Sequence, residues 1–387
     1  IDLVNNIEAA SKSDGRLQAM QGMAAAGNAY QAGSAIASAA GAGYGSGSLA
    51  KAEVGIGVAS NKSENNSTYS TSVGNTMKAG NNVNLTSTEG DIHLQQTDVT
   101  AGNTIALDSA KNILLEAGQS EVHTDGKHSG YGAEVGVGVS VGAETGVYAY
   151  AQANAGKGKY STDTVTNSNT HLNSDKLVIN SKGDTTLKGA TANANRLDAD
   201  VGGKLTIESL QDTSKQTSSE SGMNARAQVS FGTAWEASGG VNAARGNGDY
   251  AQVNEQTGFN IGGSDNSGGY HVKADKTEIK GGKLASTSTN SELTTNELKF
   301  SDIQNHMNYD ATSVSLSGSV GGTSTNADGG KGTDAIKSQN LGGVSTGGLT
   351  PSLPMVDSGH ESSTTKATLT EGTVTIGGVK TTAAATG

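Results

Sequence analysis

The sequence contains no cysteine, which excludes disulfide bonds and a thiol nucleophile. It has only two prolines and one tryptophan in 387 residues, and aromatic residues make up 4% of the chain. Large apolar side chains are too few to fill a thick globular core, but a thin core repeated along an axis needs fewer of them. We expect an elongated β protein rather than a disordered chain, because an alternating apolar pattern continues through most of the sequence.

Two further absences narrow the possible partners. No run of about 18 apolar residues occurs, so the sequence predicts no transmembrane helix. The formal net charge is −11 and the isoelectric point is about 5.1, which argues against a nucleic-acid partner because such binding requires a basic surface. The chain starts with "IDLVNNIEAA" and shows no signal peptide. We therefore expect it to be a piece of a longer protein.

The two ends of the chain differ from its middle. Residues 1–48 carry apolar side chains at three- and four-residue steps and then become Gly/Ser-rich, which predicts a short Ala-rich helical segment that caps a β structure, followed by a linker. A membrane-surface helix is the less favoured alternative, because lysine and arginine are sparse there. Residues 323–387 are rich in Gly, Ser and Thr, which predicts a linker with a short terminal strand pattern at 367–378.

Residues 49–322 contain internal repeats. The segment "AGNNVNLTSTEGDIHLQQTDV" (79–99) aligns with "AGNTIALDSAKNILLEAGQSEV" (101–122) at an offset of 22 and then 21 residues. Val83 then matches Ile105, and Ile92 matches Ile113. Each unit holds two short alternating strands separated by a turn, a pattern typical of coils that stack strand over strand. The expected fold is all-β, a right-handed parallel β-helix, or β-solenoid.

Longer alternating stretches interrupt these repeats. In "YGAEVGVGVSVGAETGVYAYAQANA" (131–155), apolar residues or threonine occupy the odd positions, while glycine is frequent at the even ones. The same alternation occurs at 50–60, 225–244 and 313–322. The sequence predicts a small-residue hairpin at each of these places, with a turn near residues 143–146 in the quoted one. So much glycine on one face suggests that another backbone, a protein or a lipid surface approaches it closely.

Catalytic and metal-binding patterns are weak. The seven histidines are scattered, and "HTDGKH" (123–128) has no metal-ligand spacing. One copy of a calcium-type nonapeptide, "GGKGTDAIK" (329–337), lies in the glycine-rich region, although such sites need consecutive copies. Carboxylates such as Asp198 and Asp200 lack the aromatic platforms of a sugar-cleaving site. We expect no enzymatic activity, no cofactor and no bound metal.

Several motifs resemble a known family. The strings "DVGGKLTIESLQD" (200–212), "GDTTLKGATANANRLDA" (183–199) and "LTTNELKFSDIQN" (293–305) resemble the haemagglutinin repeats of filamentous-haemagglutinin-like exoproteins. The resemblance extends over about residues 1–378. It is strongest to the C-terminal-side repeat region of contact-dependent growth inhibition proteins of the CdiA type.

This resemblance implies a cellular role. Such proteins of Gram-negative bacteria are secreted to the cell surface by an outer-membrane two-partner transporter, and this segment is held in the periplasm before a target is engaged. The segment is then expected to associate with the target-cell outer membrane and to help deliver an attached C-terminal toxin that is not in this chain. The alternative is the structural shaft of an adhesin whose specificity lies elsewhere. A toxin module beyond residue 387 would favour delivery, whereas more repeats would favour the adhesin.

The alternating stretches are the candidate site within this role. Strands with one apolar face are also typical of membrane β-strands, so the hairpins are the candidate membrane-associating parts. The alternative is that they only widen the solenoid and that Trp235 is a packing residue. The candidate membrane-associating residues are Val54, Ile56, Val135, Val137, Val139, Val141, Tyr148, Tyr150, Phe231 and Trp235.

Overall fold

A computed structural model describes residues 48–142, 146–230, 234–323, 344–351, 354–370 and 372–383. The described part is all-β, with 27 strands and no α-helix. The helical segment expected within residues 1–48 lies outside the described residues, except for Ser48, which begins the first strand. The calcium-type nonapeptide at 329–337 also lies outside them.

Short strands stack in parallel to form two sheets. The seven-stranded sheet contains, in spatial order, β2 (Asn75–Ala79), β5 (Thr97–Ala101), β10 (Thr170–Asn173), β13 (Ala190–Ala194), β17 (Gly258–Ile261), β19 (Lys283–Ser286) and β25 (Thr368–Leu369). The twelve-stranded sheet contains β3 (Asn82–Ser87), β4 (Ile92–Gln95), β6 (Thr104–Ser109), β7 (Ile113–Glu116), β11 (Lys176–Ser181), β12 (Thr185–Lys188), β14 (Arg196–Glu208), β18 (Gly269–Lys280), β20 (Glu292–Thr295), β21 (Glu297–Ser301), β26 (Thr373–Ile376) and β27 (Val379–Thr382). All pairs in these sheets are parallel except β26 with β27. We call the two sheets together the parallel stack.

The register of the stack confirms the repeat alignment. Val83 pairs with Ile105 in the next layer, and Ile92 pairs with Ile113, as the 22- and 21-residue offsets predicted. The ladder starting at Val83 continues through Leu177, Leu197 and Tyr270. Because equivalent positions of successive layers meet, apolar side chains stack on each other along the ladder from Val83 to Tyr270, whereas the ladder from Ile92 and Ile113 continues to Thr185. Within the strand pattern expected at 367–378, β25 pairs with β19 and β26 pairs with β20, which adds a further layer.

The interior of the stack is one continuous apolar cluster. Most apolar residues of the first layer, such as Val83 and Leu85, are only partly buried, and the fully buried members come from the later layers. The largest of these are Tyr270, Phe259, Ile105, Leu107, Ile113, Leu115, Leu172, Leu177, Ile179, Leu187 and Leu197. Side chains at the layer edges also stack: the amide of Asn193 donates to Asn173 (2.9 Å), and the amide of Asn260 donates to Asn193 (3.0 Å). Such amide ladders satisfy polar groups repeatedly along the axis.

The third sheet is antiparallel and consists of the long alternating stretches. It contains, in spatial order, β1 (Ser48–Ser70), β8 (Gly118–Gly142), β9 (Gly146–Ser168), β15 (Asp212–Ser230), β16 (Ala234–Gln252), β22 (Ile303–Thr323) and β23 (Val344–Pro351), with β24 (Met355–Thr365) also paired to β22. We call it the antiparallel sheet. Its longer strands exceed the usual length of about 5 to 6 residues several-fold.

The sheet differs from the predicted set of separate hairpins. The hairpins β8–β9 and β15–β16 form, but residues 50–60 lie in the single strand β1 and residues 313–322 lie in β22. The hairpins also pair with each other through β9 and β15, rather than extending the sheets of the stack. Long strands without partners would leave their backbone N–H and C=O groups unpaired. Pairing between neighbouring hairpins therefore supplies hydrogen-bond partners for these groups.

The long strands of the antiparallel sheet, which we call the excursions, leave the parallel stack at regular intervals along the chain. Two stacked layers precede β8, two more precede β15, and two more precede β22. Each hairpin leaves and returns at nearly one point: the Thr257 N–H donates to the Ser209 hydroxyl oxygen (2.9 Å) across the second hairpin. The stack therefore continues across each excursion, as β14 pairs directly with β18. Every two layers of the stack supply a hairpin to the antiparallel sheet.

Candidate functional site

One face of the antiparallel sheet is apolar and uncovered. Paired residues of adjacent strands point to the same side, so the register defines the face. Val54 pairs with Val137, which pairs with Ala149, and the row continues through Val229 to Trp235. The neighbouring row joins Ile56, Val135, Ala151, Ala227 and Ala237. We call this side the apolar face.

The side chains of this face are exposed. The large ones are between 40% and 82% accessible, namely Val54, Ile56, Val58, Tyr131, Val135, Val137, Val139, Val147, Met223, Val229, Trp235, Val241, Val314 and Leu316. Monomeric soluble proteins rarely expose so large a contiguous apolar patch, and such patches mark interaction surfaces. The apolar face is therefore the candidate functional site.

The dimensions of the face are those of a bilayer interior. On β9 the alternation runs from Val147 to Ala155, eight residues further on. At about 3.4 Å per residue, this stretch is roughly 27 Å long, close to the height of about 25 Å that an apolar band needs in a membrane. Trp235 lies in a row near the turn end of the face, and Tyr131 lies near the opposite end. Tryptophan and tyrosine are typical of the two interfacial zones.

The opposite side of the sheet explains the glycines. Tyr148 pairs with Gly138, and Tyr150 pairs with Gly136. The two tyrosine rings lie over these glycines, where a Cβ atom on either glycine would overlap the ring. Tyr160 covers Gly126 in the same way. The glycine-rich side of β8 thus leaves room for aromatic rings of the neighbouring strand. We call this side the polar face.

A hydrogen-bonded network fixes these rings. The Tyr148 hydroxyl reaches across Gly138 and donates to Glu53 on β1 (2.6 Å). The Tyr150 hydroxyl donates to Glu134 (2.5 Å). The Arg226 guanidinium pairs with Glu53 (2.5 Å) and lies 4.4 Å from the centre of the Tyr150 ring, which adds a cation–π contact. Four strands are linked, since the contacts run from β1 to β15.

The network also holds the tyrosines in their neutral form. Burial and the hydrogen bond to Glu53 raise the pKa of Tyr148 to about 12. The hydrogen bond to Glu134 and burial raise the pKa of Tyr150 to about 12. Since the carboxylates accept these hydrogen bonds, they favour the protonated phenols. The side chains of the polar face therefore connect neighbouring strands of the sheet through hydrogen bonds of neutral phenols.

The structure does not place all ten candidate residues on the same face of the sheet. Val54, Ile56, Val135, Val137, Val139 and Trp235 lie together on the apolar face. Tyr148 and Tyr150, expected as interfacial residues, instead lie buried on the polar face. Successive residues of a strand point to opposite faces, and the two tyrosines alternate with Val147, Ala149 and Ala151, which lie on the apolar face of β9. Val141 pairs with Ala50, and Phe231 lies outside the described residues.

Sequence reasoning missed several members of the face. Tyr131, Met223, Val241 and Leu316 lie on it as well. Tyr131 shares the odd-numbered parity of Val135, so the alternation itself carried the signal for this residue. Met223 on β15 and Leu316 on β22 become part of the apolar face because both pair with Val241 on β16. The pattern of a single strand does not reveal such pairing.

Other chemistry is sparse in the described part of the chain. It holds no group of three or more His, Asp or Glu side chains placed to bind a metal ion. It also contains no helix of sufficient length and hydropathy to cross a membrane. Several histidines instead bond carboxylates, as exposed His123 does with Asp163 and half-buried His306 does with Asp249.

Comparison with known proteins agrees with the repeat architecture. The Hemagglutinin repeat family matches residues 55–225. The chain is 34% identical over 383 residues to a tRNA nuclease CdiA of Escherichia coli strain STEC_O31, a match that covers 95% of this chain and 11% of the relative. It is 33% identical over 378 residues to a 16S rRNA endonuclease CdiA of Enterobacter cloacae, covering 95% and 11%. A Deoxyribonuclease CdiA of Dickeya dadantii is 29% identical over 314 residues, covering 79% and 9%. No solved structure matches the chain significantly.

The stacked layers and these matches define the class, a filamentous-haemagglutinin-like repeat protein. Within this class, the chain belongs to the haemagglutinin-repeat region of the CdiA family. It spans about a tenth of the length of these relatives, and the family match lies in a repeat segment. The nuclease activities in the relatives' names describe those whole proteins.

Proposed function

We propose that this chain is a non-catalytic segment of a secreted cell-surface exoprotein that associates with the outer membrane of a target cell and helps deliver a C-terminal toxin. The observation that carries the proposal is the exposed apolar face of the antiparallel sheet. Its relatives are named as toxins or nucleases, although this chain corresponds to only about a tenth of them. Export through an outer-membrane two-partner transporter and holding in the periplasm before engagement belong to the same proposal.

The domain organisation belongs to the proposal too. Residues 49–322 wind as a right-handed parallel β-helix whose excursions build the antiparallel sheet. A helical cap within residues 1–48 and a linker within 323–387 flank it. The in-register stacking of Val83, Ile105, Leu177 and Leu197 supports such winding, since each layer repeats the last. The parallel stack would serve as the rigid support, and the apolar face would make the membrane contact.

Vesicle binding tests the proposal. The whole chain should co-sediment with phospholipid vesicles, and the double variant Val137→Asp/Val139→Asp should bind at least tenfold more weakly. Two carboxylates would enter the apolar environment, and each costs about 2 to 3 kcal/mol near a bilayer centre. The matched control is Val122→Asp/Val379→Asp, because both valines are exposed but lie off the apolar face.

The control variant should bind vesicles as the unmodified chain does, and both variants should keep the β-type circular dichroism spectrum. Equal binding by all three proteins would contradict the membrane role. It would favour the second candidate, the shaft of a surface adhesin. The continuous apolar interior of the parallel stack is the observation that supports a shaft, since it needs no other partner for stability.

A further inference from the structure

The apolar face ends in a band of cations. In the two rows beyond that of Tyr131, the same side of the sheet carries five cations, which are Lys62 and Lys157 in the first row and Lys127, Lys159 and Arg245 in the second. All five side chains are exposed. Together with other residues that include Glu64 and Glu220, they line a groove of about 680 Å³. We call these five residues the basic band. A chain with a net charge of −11 thus gathers five cations at one edge of its exposed apolar surface.

The band contains repulsion between cations that Glu64 compensates only in part. Lys127 and Lys159 lie directly opposite each other on β8 and β9, an arrangement that destabilises a sheet. Arg245 continues this row through Ser219. Glu64 pairs with Lys127 (3.0 Å) and Lys62 (3.3 Å), and this lowers the pKa of Glu64. Within the described ranges, no carboxylate forms an ion pair with Lys157, Lys159 or Arg245.

The position of the band points to a lipid surface. Along β9, Lys157 follows Ala155, the last apolar residue of the face. A strand whose apolar stretch reached into the bilayer interior would place the next charged residues at the depth of the headgroups. Apart from Glu64 within the band, acidic side chains such as Asp125 and Asp163 follow further towards the stack. The order along the face is therefore apolar, basic, then acidic.

We propose that the basic band binds the phosphate groups of anionic lipid headgroups when the apolar face lies in the membrane. This inference rests on the proposed membrane role and adds both the lipid class and the orientation. The turn ends of the hairpins would enter first, and the parallel stack would remain on the aqueous side. The lipid phosphates would neutralise the repulsion between Lys127 and Lys159.

The test compares vesicles of phosphatidylcholine with vesicles that also contain phosphatidylglycerol. The whole chain should bind the anionic vesicles more tightly, and 1 M salt should abolish the difference because it shortens the screening length to about 3 Å. The variant Lys157→Gln/Lys159→Gln/Arg245→Gln should lose on the order of 100-fold in affinity for anionic vesicles, given roughly fivefold per cation near a charged surface. Its binding to neutral vesicles should not change.

A charge-matched variant provides the control. Lys111→Gln/Lys188→Gln/Lys273→Gln removes three exposed cations from the parallel stack and should keep the preference for anionic vesicles. Unchanged anionic binding by the basic-band variant would overturn the inference, as would equal binding of both vesicle types by the unmodified chain. In those cases neutral-vesicle binding that Val137→Asp/Val139→Asp abolishes would leave the membrane role standing. Failure of the unmodified chain to bind either vesicle would overturn both proposals.

Discussion

Single glycines of the antiparallel sheet have a steric role. The Tyr148 ring lies over Gly138 and its hydroxyl bonds Glu53 on the strand beyond. The same arrangement joins Tyr160, Gly126 and Asn65, where the tyrosine donates over a distance of 2.9 Å. A tyrosine can span a middle strand only if that strand has no side chain below the ring. Glycine is therefore needed here for space, and its cost to strand stability is offset by the buried ring.

Gly138→Ala should destabilise the chain by about 1 to 3 kcal/mol, because the added methyl group overlaps the Tyr148 ring and forces it out of its site. Urea unfolding followed by circular dichroism measures the change. Gly156→Ala is the matched control on β9, since a Cβ there meets only ordinary contacts, the nearest at 3.4 Å. The control should be neutral or slightly stabilising. A similar loss in both variants would show that the ring is not the cause.

His171 should make stability depend on pH. It bonds Asp98 on the preceding layer (2.7 Å) and Glu255 in the loop after the second hairpin (2.6 Å). Burial alone would lower the pKa of His171, but the hydrogen bond to Asp98 and the charge of Glu255 outweigh it and raise the pKa above its ordinary 6.5. The protonated ring thus contributes stability that is complete below about pH 6.5 and is lost as pH rises through the folded-state pKa.

The variant His171→Gln should remove this dependence. The melting temperature of the unmodified chain should fall between pH 6 and pH 8 relative to that of the variant. The difference corresponds to about 1 kcal/mol or less, since the ion pairs are partly exposed. Parallel melting curves of the two proteins across this range would argue against a role for His171.

Strands of the parallel stack have one side that faces the apolar interior and one side that faces outwards. On β11, Leu177 points inwards and stacks between Ile105 and Leu197, whereas Val178 points outwards. The alternation of buried and partly exposed residues along each strand sets which face meets the interior. A shift of one residue would reverse every side chain, so the apolar ladders fix the register.

Leu177→Ala should cost about 2 to 4 kcal/mol, because it leaves a cavity in the continuous interior. Val178→Ala, on the adjacent residue of the same strand, should cost less than about 1 kcal/mol. Thermal or urea unfolding of the two variants gives the comparison. Equal losses would mean that β11 does not bury one face in the stack.

The molecule as a whole combines two types of sheet, the parallel stack and the antiparallel sheet. The parallel stack has a continuous apolar interior, and the long strands of the antiparallel sheet leave this stack and return to it. Because Ser209 and Thr257 are in contact at the base of the second hairpin, that hairpin is an insertion between two layers that already stack.

Replacing residues 211–255 by a short Gly/Ser linker should therefore leave the stack folded. The deletion removes β15 and β16 and splits the antiparallel sheet, so β9 and β22 each lose one neighbouring strand. We expect protease-resistant fragments from the stack, with new cleavage in β8–β9 and β22. Hydrogen exchange of β14 and β18 measures the outcome, and loss of protection in these strands would show that the hairpin is part of the folding unit.

The sequence alone determined the layers. The match of Val83 to Ile105 and of Ile92 to Ile113 could be read directly, because stacking in register brings repeat positions together and favours similar residues at many of them. The apolar parity of Val54, Ile56 and Val135 to Val139 was equally local, since strand geometry alone sends alternate residues to one side.

Only the tertiary structure decided how the excursions combine. Pairing of β9 with β15, which lie on two different hairpins, merges separate apolar stripes into one face and places Tyr148 and Tyr150 over the glycines of the neighbouring strand. The basic band likewise forms only when β1, β8, β9 and β16 align, because its five cations come from four strands. Such contacts depend on the relative register of distant segments, and alternation within each strand does not specify that register.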